Sequence, residues 1–188
     1  KKISFKTKIK NIFYKDLAKF QNFLFNYYSL NDEKHKKILV LGNLRQLSPL
    51  LNKLKENKSY LIIRGGESVG RGVFSKNCHH YLTFKEYSDG EIKNKVREAK
   101  SWLNEKWDKV NNNLKFKNSL KYKIDLYPIL ENKIKNSILN DFVNLIKYIE
   151  TFKKIKFDIV VTHNDVLPFE KTIIKTANES GIPTLTLL

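Results

Sequence analysis

The chain has 188 residues, of which 36 are Lys or Arg and 19 are Asp or Glu, so its formal net charge is +17. Hydrophobic residues make up 41% of the sequence and aromatic residues 12%, which is enough to bury a core and excludes wholesale disorder. The 7 Gly and 4 Pro exclude a collagen-like chain, and the single cysteine excludes a disulfide framework. We interpret that cysteine, Cys78, as structural.

Two features lead us to expect that the sequence is part of a longer protein. It contains no Met, and residues 184–188 have the pattern of a strand without a polar tail. We expect a domain that is part of something larger.

The basic charge has three alternative explanations. Only Arg45, Arg64, Arg71 and Arg97 are arginines, and the many lysines are spread along the whole chain. Recognition of bases and phosphates favours the planar guanidinium group of Arg, which makes two parallel hydrogen bonds. Because the chain has few arginines, a nucleic-acid partner is the least favoured alternative. The other two are attraction to an anionic membrane surface and a general enrichment in Lys on solvated helix faces.

Residues 8–28 are predicted to form an amphipathic helix, followed by a connection that ends at Lys34. Apolar side chains recur there at spacings of three and four: Ile9, Phe13, Leu17, Phe20, Leu24 and Tyr27. Two interpretations stay open, a helix packed by this stripe on the domain that follows and a basic helix lying on an anionic membrane.

The first half of the remaining chain, from residue 35, predicts a β-α-β unit. An apolar run at 37–42 ends in glycine, Ser48 and Pro49 are suited to the cap and first turn of a helix, and 60–63 form a second buried strand. Buried runs without alternation favour a parallel sheet.

The middle of the chain predicts a loop-rich stretch, a short strand at 80–84 and a helical insertion at about 89–156. Its two helices run from Asp89 to Val110 and from Pro128 onward, and Asn111 to Asn113 are expected to end the first. Their apolar stripes are typical of core.

The end of the chain predicts a second β-α-β unit. A strand at 157–162 leads to a helix at 168–180, Gly181 ends that helix, and a strand follows at 182–187. Two such units around an insertion predict an α/β fold with an open, doubly wound, mostly parallel, Rossmann-like sheet over residues 35–188.

Ligands of such sheets bind beyond the carboxyl ends of the strands, so three predicted turns form the candidate site. Their residues are Gly42, Asn43 and Arg45; Arg64, Gly65, Gly66 and Glu67; and His163, Asn164 and Asp165. The first turn lacks the glycine fingerprint of a dinucleotide site, and the second lacks the ending of a P-loop.

Each turn carries two interpretations. Gly42 either meets an anionic ligand or only makes a tight turn, and the glycine-rich stretch from Arg64 either closes on a ligand or is an ordinary loop. His163 and Asp165 either act as a general base towards a hydroxyl or cap the next helix. Adjacent histidines in a strand point to opposite faces, so a metal site at His79 and His80 is not expected.

The last unit resembles the end of the N-terminal, acceptor-side domain of GT-B glycosyltransferases. The likeness is carried by 157–165, the helix after it and the Gly-Ile-Pro-Thr run at 181–184, and is nearest to surface-polysaccharide enzymes and glycerophosphotransferases of teichoic-acid type. Residues 37–66 are similar to the opening β-α-β unit of those families.

The resemblance implies a two-domain transferase that moves a sugar from a nucleotide donor to a surface-glycan or lipid-linked acceptor, without an essential metal or other cofactor. It implies that His163 or Asp165 lies in the cleft, that Gly42, Gly65 and Gly66 face the donor phosphates, and that the enzyme is cytoplasmic or peripheral to the inner face of the membrane. The alternatives are a non-catalytic, Rossmann-like domain that binds a nucleotide or phosphorylated ligand, and a basic nucleic-acid-binding module.

Overall fold

The computed structural model of the chain describes residues 5–42, 44–67, 78–113, 127–163 and 167–187. In residues 5–11, 44–45, 110–113, 127–132 and 134 it describes the backbone alone. The chain divides into two compact units, one formed by Lys1–Ser88 with Tyr148–Leu188 and the other by Asp89–Lys147.

The first unit contains a sheet of five parallel strands among the described residues. The strands are β1 (Lys36–Leu41), β2 (Tyr60–Gly66), β3 (His80–Thr83), β4 (Ile159–Thr162) and β5 (Thr184–Thr186). Its helices are α1 (Phe5–Phe25), which continues into a π-helical turn (Asn26–Leu30), α2 (Leu44–Glu56) and α5 (Pro168–Glu179). Helix α3 (Gly90–Asn113) belongs to the second unit, and α4 (Tyr127–Ile155) begins there and ends in the first.

The predicted open, doubly wound α/β sheet is confirmed, and its strand order is β3-β2-β1-β4-β5. The central strand β1 is buried almost throughout, because a parallel sheet carries helices on both faces. Helix α2 leads from β1 outward to β2, and α5 leads from β4 outward to β5. Since such crossovers are right-handed, the two helices cover opposite faces, and the direction of winding reverses between β1 and β4.

The core on the α2 face includes Cys78. Burial raises the pKa of its thiol to about 11, and the charges of Arg64 and Lys55 only partly oppose that rise. The surrounding buried side chains are aliphatic: Ile38, Val40, Leu47, Leu51, Ile62 and Val161. A buried thiol with a raised pKa is a poor nucleophile, which supports the structural interpretation of Cys78.

Helix α2 begins earlier than the sequence predicts. We expected Ser48 and Pro49 to open it, but it starts at Leu44 and holds Pro49 in its interior. Leu47 is fully buried, as is Leu51 one turn later. The packing of Leu47 keeps the turn before Pro49 helical and offsets the hydrogen bond that proline cannot donate.

Two other predicted helix ends have different outcomes. Helix α3 extends to Asn113, three residues beyond the predicted last residue Val110, so Asn111 to Asn113 form its last described residues. Helix α5 ends as predicted: Gly181 has φ +70°, and the N–H of Ile182 donates to the carbonyl of Ala177 at 2.9 Å. That bond closes a Schellman motif.

Helix α1 packs through a different face from the one predicted. Its buried residues are Ala18, Asn22 and Phe25, with Ser29 in the π-helical turn. The expected stripe lies elsewhere, since Phe13, Phe20 and Tyr27 are exposed. Helix α1 lies against the edge strand β3, and this face combines the small or polar side chains of Ala18, Asn22 and Ser29 with the fully buried ring of Phe25.

Asn22 joins α1 to that edge. Its side-chain amide donates to the carbonyl oxygen of Thr83 at 3.0 Å, and its side-chain oxygen accepts from the N–H of Thr83 at 2.8 Å. Both residues are buried. The amide therefore satisfies the N–H of Thr83, which has no other partner among the described residues, and adds to the bonds that the carbonyl of Thr83 accepts from the N–H groups of Glu86 and Tyr87.

Among the described residues, no helix is both long enough and apolar enough to cross a membrane.

Replacement of Asn22 tests this account of the edge. We expect Asn22→Ala to lower the free energy of unfolding by about 1–3 kcal/mol, because it leaves the buried N–H of Thr83 without a partner, whereas the carbonyl of Thr83 still accepts from the N–H groups of Glu86 and Tyr87. Urea unfolding followed by circular dichroism measures the change. Gln21→Ala, one residue earlier on the same helix, is the control, and equal midpoints for the two variants would contradict the prediction.

Candidate functional site

The candidate site is built around the point where the winding reverses. Leu41 in β1 is paired with Thr162 in β4, so the residues that follow them, Gly42 and His163, are neighbours at the carboxyl edge of the sheet. Gly42 has φ +88°, and a Cβ there would overlap Nδ1 and Cε1 of the His163 ring. Gly42 therefore supplies both a left-handed backbone and the space that the imidazole occupies.

Helix α5 brings a carboxyl group to the same edge. Glu170 lies in the first turn of α5, the helix that follows β4 in the chain, and is only 6% exposed. The Oε2 atom of Glu170 is buried and has no hydrogen-bond partner among the described residues. A buried, unpaired carboxyl oxygen is costly, and such groups in native proteins commonly serve chemistry.

A second carboxyl group approaches from β2. Glu67 follows the end of that strand, and the hydroxyl of Tyr148 donates to its Oε1 at 2.8 Å. Tyr148 belongs to the last part of α4, within the first unit. Its ring forms an apolar cluster with Phe84 and Phe169, with centroid distances of 5.1–6.5 Å. The carboxyl groups thus lie next to an aromatic wall that keeps water away from one side.

The environment of Glu170 raises the pKa of its carboxyl above the ordinary value. Burial is the main cause, and the charge of Glu67 adds to it. The charge of His163 and the N–H of Glu170 itself act in the opposite direction. A raised pKa makes the carboxylate a stronger base towards a bound hydroxyl.

The structure brings together three of the predicted site residues, Gly42, His163 and Glu67, at this edge. Gly66 ends β2 beside them. Gly65 is buried, and a Cβ there would meet the side chains of Leu39, Leu41 and Phe84. The missing side chain of Gly65 therefore serves the packing of the core rather than the approach of a ligand.

The other predicted residues, or their side chains, lie within β2 or outside the described part of the chain. Arg64 lies within β2, paired with Val40, and its charge acts on Cys78. Asn43, Asn164 and Asp165 lie outside the described residues, as does the glycine-rich stretch from residue 68, and the side chain of Arg45 is also not among those described. No group of three or more His, Cys, Asp or Glu side chains that could hold a metal ion occurs in the described part of the chain.

The two histidines before β3 have a structural place. The Nδ1 atom of His79 accepts a hydrogen bond from the N–H of Ile62 at 2.9 Å, and the N–H of His79 donates to the carbonyl of Ile62. Burial lowers the pKa of both His79 and His80, and the charge of Lys55 adds to the effect at His79. His79 thus extends the pairing of β2 with its side chain.

Sequence reasoning missed Glu170 and Tyr148. Glu170 stands in the first turn of a predicted helix, where a carboxylate is ordinarily a capping group and attracts no notice. A signal was nonetheless present, because Glu170 directly follows Phe169 and precedes Ile173 and Ile174 in a mainly apolar segment. Tyr148 lies more than 80 residues from Glu67 in the chain, and only the fold brings them together.

Comparisons of the chain with protein-family models, with curated proteins and with solved structures found no match.

Gly42→Ala tests the contact between the turn and His163. We expect a loss of more than about 1 kcal/mol of unfolding free energy, because Ala must adopt a positive φ and its Cβ overlaps the imidazole. Gly181→Ala is a matched control, since Gly181 also has a positive φ but a Cβ there would meet open space. The overlap predicts a larger loss at Gly42 than at Gly181 in chemical unfolding, together with a shift of the His163 ring signals in NMR spectra.

Glu170→Gln tests the buried carboxyl. Because the pKa of Glu170 is raised in the folded state, the folded protein binds a proton that the unfolded chain has released, and stability falls as the pH rises through that range. The penalty is absent below about pH 4, where both states are protonated. At pH 7 we expect the variant to be more stable than the wild type by about 1–3 kcal/mol.

Urea unfolding at several pH values measures this effect. Glu179→Gln, at the exposed end of the same helix, controls for the general loss of a carboxylate. If the wild type and Glu170→Gln depend on pH in the same way, Glu170 does not carry a raised pKa.

Proposed function

We propose that the chain is the acceptor-side domain of a glycosyltransferase of the GT-B kind, or of a related glycerophosphotransferase. In the glycosyltransferase form, it would help to move a sugar from a nucleotide donor to a hydroxyl of a surface glycan or lipid-linked acceptor. The proposal draws on the resemblance of the last β-α-β unit and on the chemistry of the carboxyl edge. The sheet order agrees with it but is shared by many unrelated proteins.

The observation that carries the proposal is the buried carboxyl of Glu170 beside His163, where the winding of the sheet reverses. Transfer to a hydroxyl needs a base that is poised to take its proton at neutral pH. Glu170 has a raised pKa and a buried oxygen without a hydrogen-bond partner among the described residues, and His163 is a second proton acceptor next to it.

The proposed step is a substitution at the anomeric carbon. Oε2 of Glu170, or the imidazole of His163, takes the proton of the acceptor hydroxyl while its oxygen forms a bond to that carbon. The bond between the anomeric carbon and the nucleoside diphosphate breaks, and the diphosphate leaves with the electron pair. The aromatic wall of Phe84, Tyr148 and Phe169 limits the access of water that would otherwise hydrolyse the donor.

Glu67 has a positioning role in this scheme. Its carboxylate accepts the hydroxyl of Tyr148 and lies close enough to Glu170 for its charge to raise the pKa of that residue. A carboxylate at this place also disfavours the direct binding of a phosphate there. We therefore assign the described edge to the acceptor, and the donor diphosphate to another part of the protein.

The second candidate is a non-catalytic domain that binds a nucleotide or a phosphorylated ligand. It is favoured by Gly42, which opens the turn before a helix N-terminus as in phosphate sites. The two carboxyl groups at the same edge count against it. A nucleic-acid-binding module is the third candidate, and it rests on the net charge of +17 alone.

Nucleotide-sugar screening of the whole protein tests the proposal. We expect one nucleotide among UDP-, GDP-, CDP- and CMP-sugars to raise the melting temperature, and transfer to an acceptor glycan to follow. Glu170→Gln should lower turnover about 100-fold or more while the shift in melting temperature remains, because it removes a proton acceptor and not a donor contact. His163→Asn should lower turnover in the same selective way.

Glu179→Gln, on the same helix, is expected to retain wild-type turnover. A protein that is stabilised by a nucleotide but transfers nothing to any acceptor would favour the non-catalytic candidate. The absence of any shift, together with salt-sensitive binding to RNA or DNA, would contradict the transferase and favour the third candidate.

A further inference from the structure

Helix α1 has two apolar faces, and only one of them is used inside the first unit. The face of Ala18, Asn22 and Phe25 lies on the edge strand β3. The opposite face, which the π-helical turn continues, carries large apolar side chains that are between 56% and 73% exposed: Ile12, Phe13, Phe20 and Phe23 in α1 and Tyr27 in the turn. We refer to these five residues as the aromatic face of α1.

The residues of the aromatic face cluster on one side of the helix, around the single exposed carboxylate of Asp16. They recur along the helix at spacings that place them on one side, opposite the buried residues. Phe23 and Tyr27 stack with a centroid distance of 6.4 Å, and the ring of Tyr27 meets that of Tyr28 at 4.8 Å. Clustered exposed apolar surface of this kind marks an interaction site.

The charge around this face identifies what it fits. Helix α1 contains five lysines and one aspartate in its 21 residues. The aspartate, Asp16, is bonded to Lys19 at 3.2 Å, and Lys15 and Lys19 are both exposed beside the aromatic face. Helices that lie in the interface of anionic membranes commonly carry aromatic side chains on one face and lysines on the others. Helix α1 has this composition.

We propose that the aromatic face of α1 binds the surface of an anionic lipid membrane, with the helix lying in the plane of the headgroups. The aromatic rings enter the boundary between headgroups and acyl chains, and the lysines contact lipid phosphates. The bonds between Asn22 and Thr83 hold the helix on β3, so the membrane would meet a surface of fixed orientation.

The charge and the apolar side chains together favour a membrane over two other partners, a second copy of the chain and a nucleic acid. A second copy of the chain would bring two molecules of net charge +17 together, and repulsion between them opposes that contact. A nucleic acid would use the lysines but would leave the aliphatic Ile12 and most of the aromatic surface without a role. An anionic bilayer uses both the apolar and the basic side chains.

Vesicle co-sedimentation tests the proposal independently of any transferase activity. We expect the protein to sediment with vesicles of phosphatidylcholine mixed with phosphatidylglycerol, more weakly with phosphatidylcholine alone, and less at high salt. The triple variant Phe13→Ser/Phe20→Ser/Phe23→Ser should bind the mixed vesicles at least about tenfold more weakly. Lys15→Gln and Lys19→Gln should each weaken binding about fivefold at low salt.

The controls are matched in chemistry and exposure. Trp102→Ser removes an exposed aromatic residue of α3, and Lys93→Gln removes an exposed lysine there; both should bind as the wild type does. Because the replaced residues of α1 are exposed, the triple variant should keep the melting temperature and the circular dichroism spectrum of the wild type. That result separates a lost surface from a lost fold.

Four outcomes would overturn the proposal. The first two are that the wild type does not bind the mixed vesicles, or that the triple variant binds them as well as the wild type does. The third is that the wild type forms a concentration-dependent dimer, does not bind vesicles, and loses the dimer in the triple variant. The fourth is that bound RNA accounts for the sedimentation. Loss of vesicle binding in the triple variant alone, with the fold retained, supports it.

Discussion

The reversal of winding between β1 and β4 is the constraint from which the site follows. Parallel strands place all their carboxyl ends at one edge, and helices that leave a central pair in opposite directions leave a gap between them. In this chain the gap is bounded by Gly42 and His163, which are neighbours because Leu41 and Thr162 are paired. The close packing of the imidazole on a glycine with a positive φ depends on that register.

Burial then gives the edge its chemistry. Helix α5 must cover the sheet next to β4, so its first turn is pressed against the core and carries Glu170 with it. Phe169 enters the aromatic cluster, and the adjacent carboxyl is removed from water without a full set of partners. The same packing that stabilises α5 therefore raises the pKa of Glu170. Burial of this carboxyl lowers the free energy of unfolding at the place where the carboxyl can exchange a proton.

The strands and most helices could be predicted because their signals are local. The apolar runs that became β1, β2 and β4 are buried on both faces, and Gly181 ends α5 as expected. The failures arose where distant packing decided the outcome. Leu47 extended α2 back beyond Pro49, and Asn22 attached α1 to β3 through a face other than the predicted apolar stripe. For the site, Gly42 and His163 were visible as turn residues, but Glu170 and Tyr148 acquired meaning only from contacts across the sheet.

The error at α1 has a consequence for the whole first unit. The contact with the edge strand combines the amide of Asn22 with the buried ring of Phe25, and other large apolar side chains remain on the outside of the helix. Exposed aromatic side chains lower solubility, so their accumulation on one face of a lysine-rich helix favours a partner that accepts both apolar surface and positive charge. The interpretation that the predicted stripe packs on the domain is wrong for Phe13, Phe20 and Tyr27, and it is these exposed rings that our membrane proposal uses.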